Sequence, residues 1–264
     1  MRRVAPRLRR LLAAGALAVP ALACSCDLTV GLDGLQGGCP PTRGATQVKI
    51  NAGSSSFCID TTETTNAQYG DFVSSTFTLA ADAIPDGCQT LTDPVPSMGW
   101  PPGPGYEGYP VTNVNWCQAY TYCQWAGKRL CGAISGGALA PPNDTNATQS
   151  QWFDACSNNG ALAYPYGNMF ASSLCGGMED NSQLLIVGTQ PGCVGGFPGI
   201  FDMSGNVWEW TDACDDTTPA SDAFCDARGG AFDSTPTDLE CAGERNWTRS
   251  AGIYNIGIRC CLDL

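Results

Sequence analysis

The stretch Gly199–Trp210 reads GIFDMSGNVWEW and decides the fold more than any other part of the chain. Ser204 and Gly205 predict a turn, and the residues that follow read as extended backbone. Such backbone repeats its direction every second residue, so alternate positions from Gly205 onward can face one point. An acid stands on each side of the turn, at Asp202 and Glu209. The stretch therefore predicts a turn that brings oxygen atoms together on one side.

Five further blocks accompany this stretch. They are FCIDTTETTNAQYGDFV from Phe57, YPVTNVNWCQAYTYCQWAGKRL from Tyr109, YPYGN from Tyr164, RGGAFDS from Arg228 and NIGIRC from Asn255. In this order they resemble the sulfatase-modifying-factor domain, the family of the formylglycine-generating enzyme. The resemblance covers residues 46–264. It implies an irregular, loop-rich α+β fold of the formylglycine-generating-enzyme type, which is C-type-lectin-like, has little regular secondary structure and is stapled by disulfides.

The N-terminus has the pattern of an exported protein. Residues 1–23 hold five arginines, no acid and an apolar run from Leu11, which predicts a signal peptide. The run is too short for a permanent membrane span. Residues 24–45 read as a flexible leader rich in Gly and Pro. Cys24, after Ala23, resembles the lipidated cysteine of a bacterial lipoprotein, so a lipid anchor and ordinary cleavage both stay open.

Charge narrows the classes of partner. Without residues 1–23 the chain keeps eight basic and 25 acidic residues, a formal charge of −17. Nucleic acid and anionic lipid surfaces are therefore poor partners, and cations are good ones.

The cysteine and histidine content limits the kinds of functional site that the chain can have. Sixteen cysteines in an exported chain predict a disulfide framework. Histidine is absent, which excludes histidine metal sites, Ser-His-Asp triads and Cys-His dyads.

Few segments read as regular elements. We expect an opening strand within residues 48–60 and a short helix through Tyr69 and Phe72, capped by Thr64 or Thr65. Residues 115–126 are the clearest helix, because apolar residues recur there at helical spacing before Gly127. A second short helix is expected at 149–156. Residues 84–108, rich in Pro, Gly and Asp, predict a surface loop.

The resemblance implies a calcium site in the first stretch. Asp202 and Glu209 match family ligands that use the side chain, and Gly205 and Val207 match ligands that use the backbone carbonyl. Calcium takes six to eight oxygen ligands, which suits this set. The structural alternative makes Asp202 and Glu209 surface acids beside a turn, with Trp208 as a core anchor.

The resemblance also shows what is missing. Enzymes of this family bind copper(I) through two cysteines, five residues apart, shortly after the RGGS motif, and soft thiolates suit copper(I). Here those positions fall on Ser234 and Leu239, and Ala231 replaces the motif serine. Copper is therefore not expected. A shifted thiol site using Cys241 or Cys261 is the fallback.

Other cysteines receive structural roles from the resemblance. It implies that Cys123 bonds to Cys260 and that Cys156 bonds to Cys241. Local bridges Cys175–Cys193 and Cys214–Cys225 are also plausible, although sequence alone does not fix connectivity.

Three more residues match positions near the peptide that family members bind. They are Trp208, Asn255 and Gly257. Their structural alternative is packing for the tryptophan and a turn around Asn255.

Two functions follow. The first is an exported module, stabilised by calcium, that binds a protein or glycan ligand or serves a structural role at the cell envelope. The second is a divergent oxidase that acts on a protein cysteine through a relocated thiol site.

Overall fold

A computed structural model describes residues 38–179, 182–215 and 222–264. The signal peptide at 1–23, Cys24 and the rest of the leader up to residue 37 lie outside the described residues. Among those described, no helix has the length and apolar character that crossing a membrane requires.

The N-terminal part of the described chain forms a hairpin instead of one strand. Strands β1 (Gln47–Ala52) and β2 (Ser55–Asp60) pair antiparallel. The turn between them contains Gly53 with φ of 61°, a backbone conformation that glycine adopts without steric cost. The expected single strand at 48–60 is therefore interrupted at this glycine.

Three short α-helices begin at side-chain caps. Helix α1 (Asn66–Val73) is capped by Thr65, α2 (Trp116–Trp125) by Asn115 and α3 (Gln151–Ser157) by Ser150. In α1 and α2 a glutamine at the third helical position bonds back to the cap residue, which completes a capping box. Gly127, with φ of 78°, follows the end of α2. The predicted helices are confirmed to within two residues at each end.

The strands form two four-stranded sheets. The first has the order β1-β2-β8-β3, with β3 at Arg129–Leu130 and β8 at Cys260–Asp263. The second has the order β6-β5-β4-β7. Its strands are β4 (Trp208–Cys214), β5 (Phe224–Arg228), β6 (Glu244–Thr248) and β7 (Ile256–Ile258). Only β4 and β7 pair parallel in this sheet, and they place Glu209 opposite Gly257.

Aromatic rings fill the space between α1 and α2. Tyr69 and Phe72 of α1 contact Tyr122 of α2 at ring centroid distances of 5.5 and 5.8 Å. Trp125 closes the cluster, 5.7 Å from Phe72. These helices are therefore held by packing, since helices of eight and ten residues are marginal alone.

Seven disulfides join the described cysteines. They are Cys39–Cys58, Cys88–Cys117, Cys123–Cys260, Cys131–Cys261, Cys156–Cys241, Cys175–Cys193 and Cys214–Cys225. The two long bridges that the resemblance implies, and both local ones, are among them. The loop-rich, disulfide-stapled fold is thus the observed one.

The end of the leader differs from the expectation. Cys39 is bonded to Cys58 of β2, and the Arg43 guanidinium donates a 2.7 Å hydrogen bond to the Trp125 carbonyl while lying 5.3 Å from the Trp125 ring centroid. Residues 39–45 are therefore tied to the domain, and the expected flexible leader does not extend to residue 45. The sequence pattern of Gly and Pro did not reveal this, because the tie depends on distant partners.

Candidate functional site

Glu209 of β4 lies at the centre of a buried ionic cluster. Its carboxylate accepts three hydrogen bonds of 2.7–2.9 Å from Nε and Nη2 of Arg259. The indole nitrogen of Trp152, on α3, donates a further bond of 2.7 Å. Both Glu209 oxygens are therefore engaged, and the Glu209 and Arg259 side chains are almost completely buried.

Arg259 links this cluster to both sheets. Besides Glu209 it donates to the carbonyls of Asp60 and Phe201, each at 2.8 Å. Burial alone would lower the pKa of Arg259, but the nearby carboxylates outweigh it and raise the pKa, so the guanidinium stays charged.

A second pair of acids adjoins the first. Asp202, at φ of 60°, accepts a 2.5 Å bond from the Gly188 amide. Glu63 accepts a 2.9 Å bond from the Asn206 side chain through Oε1, whereas its Oε2 has no hydrogen-bond partner among the described residues. Burial, followed by the charge of Asp202, raises the pKa of Glu63 well above its ordinary value. Three acids thus surround the one guanidinium of Arg259, and burial favours the protonated form of Glu63.

The structure brings Asp202 and Glu209, two of the four predicted calcium ligands, to the buried cluster around Arg259. Glu209 is held by Arg259 and Trp152, so it would have to leave both to ligate a cation. No group of three or more Asp, Glu, Cys or His in the described ranges has the geometry of a metal site. The carboxylate that adjoins Asp202 is Glu63, which the sequence reasoning missed. Glu63 and Arg259 both lie inside blocks that carry the resemblance, and that was the available signal.

Ser234 and Leu239 stand at the two positions where the family's copper cysteines are expected, and both side chains are buried. Ser234 Oγ accepts a 2.8 Å bond from the Ala231 amide, and the Ser234 amide donates back to the Ala231 carbonyl at 2.9 Å. Leu239 packs against Gly177 and Gly230. A Cβ atom added at these two glycines would lie only 2.5 and 2.8 Å from the methyl groups of Leu239. A tight turn and an apolar contact thus occupy this segment.

The fallback thiols are not free. Cys241 is bonded to Cys156 and Cys261 to Cys131, and all four side chains are buried. A reactive cysteine must be an accessible thiolate, so neither residue is available as the structure stands. These two bridges therefore contradict the fallback prediction of a relocated thiol site at Cys241 or Cys261.

The three groove residues lie together at the start of β4 and β7. The Trp208 amide donates a 2.9 Å bond to the Asn255 carbonyl, and Gly257 follows on β7. Trp208 is 1% exposed, and a Cβ on Gly257 would lie 2.8 Å from the Val207 side chain. Packing therefore accounts for the tryptophan and the glycine.

The surface above them is aromatic. Asn255 donates a 2.9 Å bond to Asp233 Oδ1, and the Tyr254 hydroxyl donates a 2.5 Å bond to Asp233 Oδ2. Arg245 lies 5.7 Å from the Trp208 ring centroid, and Trp247 contacts the same ring at 6.0 Å. We call Asp233, Arg245, Trp247 and Tyr254 the aromatic face. Tyr254 and Arg245 are more than half exposed, so this face is accessible.

Sequence comparison identifies the family. The model of the sulfatase-modifying factor enzyme 1-like domain matches residues 35–264, so the chain belongs to this family. The formylglycine-generating enzyme of Mus musculus is 28% identical over 64% of this chain and 50% of its own length. The inactive C-alpha-formylglycine-generating enzyme 2 of Mus musculus is 29% identical over 63% of this chain and 56% of its length. The serine/threonine-protein kinase pkn1 of Chlamydia pneumoniae is 28% identical over 61% of this chain and 25% of its length. The chain thus matches between a quarter and just over half of these relatives' length.

Structural comparison agrees on the fold. The crystal structure of CarF has a TM-score of 0.54 at 18% identity, covering 84% of this chain and 97% of CarF. PvdO from Pseudomonas aeruginosa has a TM-score of 0.53 at 16% identity, covering 85% of this chain and 91% of PvdO. The formylglycine-generating-enzyme type of fold is confirmed.

Proposed function

We propose that this chain is a non-catalytic member of its family that is exported and acts as a binding or structural module at the cell envelope. The observation that carries the proposal is the absence of sulfur at Ser234 and Leu239, together with the bonded state of every described cysteine. Copper(I) prefers thiolate ligands, and none is offered beside the RGG turn. The seven disulfides and the signal-like leader support export.

Overall similarity does not separate an enzyme from an inactive relative. Two relatives from one organism, one named as the enzyme and one as inactive, are 28% and 29% identical to this chain. The residues at positions 234 and 239 therefore have to decide between the two functions. Neither a buried serine hydroxyl nor an isobutyl group binds copper(I) or becomes a thiolate.

A thiol count with a copper(I) titration tests the absence of catalysis. The full chain with Cys24→Ser and Cys26→Ser keeps only cysteines that the structure places in disulfides. We expect no native thiol to react and no stoichiometric copper(I) to bind. Reduction in denaturant, as the control, should release all fourteen thiols, the sixteen of the sequence less the two replaced. Two native thiols with one copper(I) would overturn the proposal in favour of the oxidase.

We assign the contact with a protein or glycan partner to the aromatic face. Tyrosine, tryptophan and arginine are the residues that most often dominate binding energy at interfaces. Tyr254 and Asn255 are oriented by Asp233, so a partner would meet a pre-organised surface.

A photo-cross-linking amino acid at Tyr254 tests that assignment in intact cells. We expect a defined cross-linked product from this position and none from the same amino acid at Ser54, in the β1–β2 turn. Equal cross-linking from both positions, or from neither, would remove the aromatic face from the proposal.

Calcium is the remaining part of the proposal. The donors suit it, because Asp202, the unpartnered Glu63 Oε2 and the carbonyls of Gly205 and Val207 are hard oxygens. A divalent cation would also offset the charge of the acids beside Arg259 in their ionised form. Glu209 stays with Arg259 in this arrangement and acts as a neighbour of the cation.

Thermal unfolding with and without chelator tests the cation. A ligand bound only by the folded state adds about 2.7 kcal/mol at a hundredfold excess over its Kd. We expect calcium to raise the Tm of the parent but not of Asp202→Asn, since asparagine tolerates the positive φ of Asp202 without strain. Asp71→Asn, an exposed acid of α1, is the control and should keep the calcium effect. An unchanged Tm in the parent would contradict the calcium site.

A further inference from the structure

A cavity of about 620 Å³ lies beside α2, away from the ionic cluster and the aromatic face. Trp116, Tyr120 and Gln124 of α2 line one side of it. The other walls come from the turn at 82–86, from Arg129 and from Asp212. Its volume is within the range of small-molecule sites.

The aromatic wall of the cavity is rigid. The rings of Trp116 and Tyr120 stack with centroids 5.3 Å apart and planes 26° from parallel. Arg249 lies 4.7 Å from the Trp116 ring centroid, and the Trp116 indole nitrogen donates a 2.8 Å bond to the Thr211 carbonyl. Trp116 is 2% exposed, whereas Tyr120 is only partly buried. Tyr120 is thus a fixed aromatic surface that borders open space.

The polar groups of the cavity offer donors and acceptors side by side. Asp212 and Arg129 line the cavity together with Tyr120. Burial is the main cause of the raised pKa of Tyr120. The charge of Asp212 raises this pKa further, and the charge of Arg129 lowers it. The Tyr120 hydroxyl and the Gln124 side-chain amide both belong to residues that line the cavity. Both groups can donate and accept, so they can serve a ligand that does the same.

Charge argues against an anionic ligand. The Arg129 guanidinium is held by Asp263 at 2.6 and 2.9 Å and by the Ala133 carbonyl at 2.8 Å. Arg249 donates to the Asp86 carbonyl as well as covering Trp116. The arginines are thus committed to the protein, and the chain as a whole carries a formal charge of −12. Three aspartates, Asp82, Asp86 and Asp212, line the cavity beside the two arginines, so its opposite charges nearly balance and favour a neutral ligand.

We propose that the α2 cavity is a second binding site, and that its ligand is a neutral, polyhydroxylated molecule such as a sugar unit of a glycan. The C–H face of a sugar ring would stack on Tyr120, as apolar surfaces do on aromatic rings. Vicinal hydroxyls donate and accept at neighbouring positions, which matches the hydroxyl of Tyr120 and the side-chain amide of Gln124. This site is separate from the aromatic face, so either can fail without the other.

Titration of the full chain with defined probes tests the proposal. The neutral probes are maltotriose, mannotriose and chitotriose, the cationic probe is arginine methyl ester and the anionic probe is inorganic sulfate, each at millimolar concentration. We expect saturable binding of at least one trisaccharide and of neither charged probe. Binding of a charged probe alone, or of no probe, would overturn the proposal.

Variants locate the binding. Tyr120→Ala should weaken trisaccharide binding about tenfold, and Gln124→Ala, on the helix surface, about threefold to tenfold. Thr121→Ala, the next residue of the same helix but outside the cavity, should leave the affinity within about twofold. If Tyr120→Ala unfolds, Tyr120→Phe and Gln124→Ala still report on the hydroxyl and the amide. Unchanged affinity in Gln124→Ala and Tyr120→Phe together would place the sugar elsewhere and end the proposal.

Discussion

Strand β8 and the segment 231–239 differ in their sulfur content: β8 holds two adjacent cysteines, and the segment 231–239 holds none. In β8 two adjacent cysteines point to opposite faces of the sheet, so Cys260 bonds to Cys123 of α2 and Cys261 to Cys131 beyond β3. In the segment 231–239 the positions that would carry reactive sulfur hold Ser234 and Leu239. Within the described ranges every cysteine is part of a disulfide, so its sulfur cross-links the fold.

The comparison teaches that position decides the role of a cysteine. A thiolate reacts only when it is unpaired, accessible and near a charge that stabilises it. The β8 cysteines fail the first two conditions, since they are bonded and fully buried. A family resemblance therefore carries the fold and the disulfides to this chain, whereas reactive cysteines have to be sought position by position.

Removing the β8 bridges should give the largest effect. Either β8 bridge alone would keep nearly the same loop closed, so both have to be removed. Replacing Cys123, Cys131, Cys260 and Cys261 by alanine opens loops with sequence separations of 137 and 130, whereas Cys214→Ala with Cys225→Ala opens one of 11. Chain entropy predicts losses of at least about 5 kcal/mol and of about 3 kcal/mol in the free energy of unfolding. Denaturant titration of the two variants measures the difference.

Both variants remove buried sulfur atoms in bonded pairs and leave no free thiol, so the short bridge controls for the loss of sulfur packing. Equal losses would mean that local strain, and not loop length, determines how much these bridges add to the free energy of unfolding. The view of β8 as the main staple would then be wrong.

Arg259, one residue before β8, is the next test. Arg259→Gln leaves Glu209 buried with only the Trp152 donor, and losing one partner of a buried pair costs about 3–5 kcal/mol. We expect this loss with chelator present as well as with calcium, because it arises from the ion pair itself. Thermal melts of Arg259→Gln and of Glu209→Gln/Arg259→Met should show the double variant to be the more stable one. A larger loss in the double variant would contradict the desolvation argument.

Sequence predicted what local rules determine. Helix α1 could be placed by its threonine cap, and α2 by apolar residues at helical spacing that end before Gly127. The long bridges followed from the resemblance, since spacing alone does not choose among partners.

The rest depends on distant contacts. Nothing near Glu209 indicates that Arg259, 50 residues later, takes up its carboxylate. In the same way Cys39 gave no sign of its partner, so the leader looked free. The aromatic face and the α2 cavity likewise bring together segments separated by long stretches of chain. Which residues form them can be seen only in the folded structure.

The smallest expected effect concerns the anchor of the segment 231–239. Arg228, which precedes it, is fully buried, contacts Asp144 and lies 3.1 Å from Glu244, with Asp226 beside them. Burial, then the charges of Asp144 and Glu244, raises the pKa of Asp226 from 3.8 to about 7. The folded state therefore holds a proton that the unfolded chain releases, and stability falls as pH rises from about 4 through about 7.

Asp226→Asn should remove that dependence, because an amide still donates to Asp144 but carries no charge. We expect the variant to match the parent near pH 4 and to exceed it above pH 7 by about 1–2 kcal/mol, since water reaching Glu244 screens part of the repulsion. Asp222→Asn, an exposed acid just before β5, should keep the parent's profile. Parallel pH profiles for parent and Asp226→Asn would mean that Asp226 is ionised at all these pH values. The ion-pair network around Arg228 would then be fully charged, like the pair of Glu209 and Arg259 beside β8. The two regions would differ only in their sulfur content.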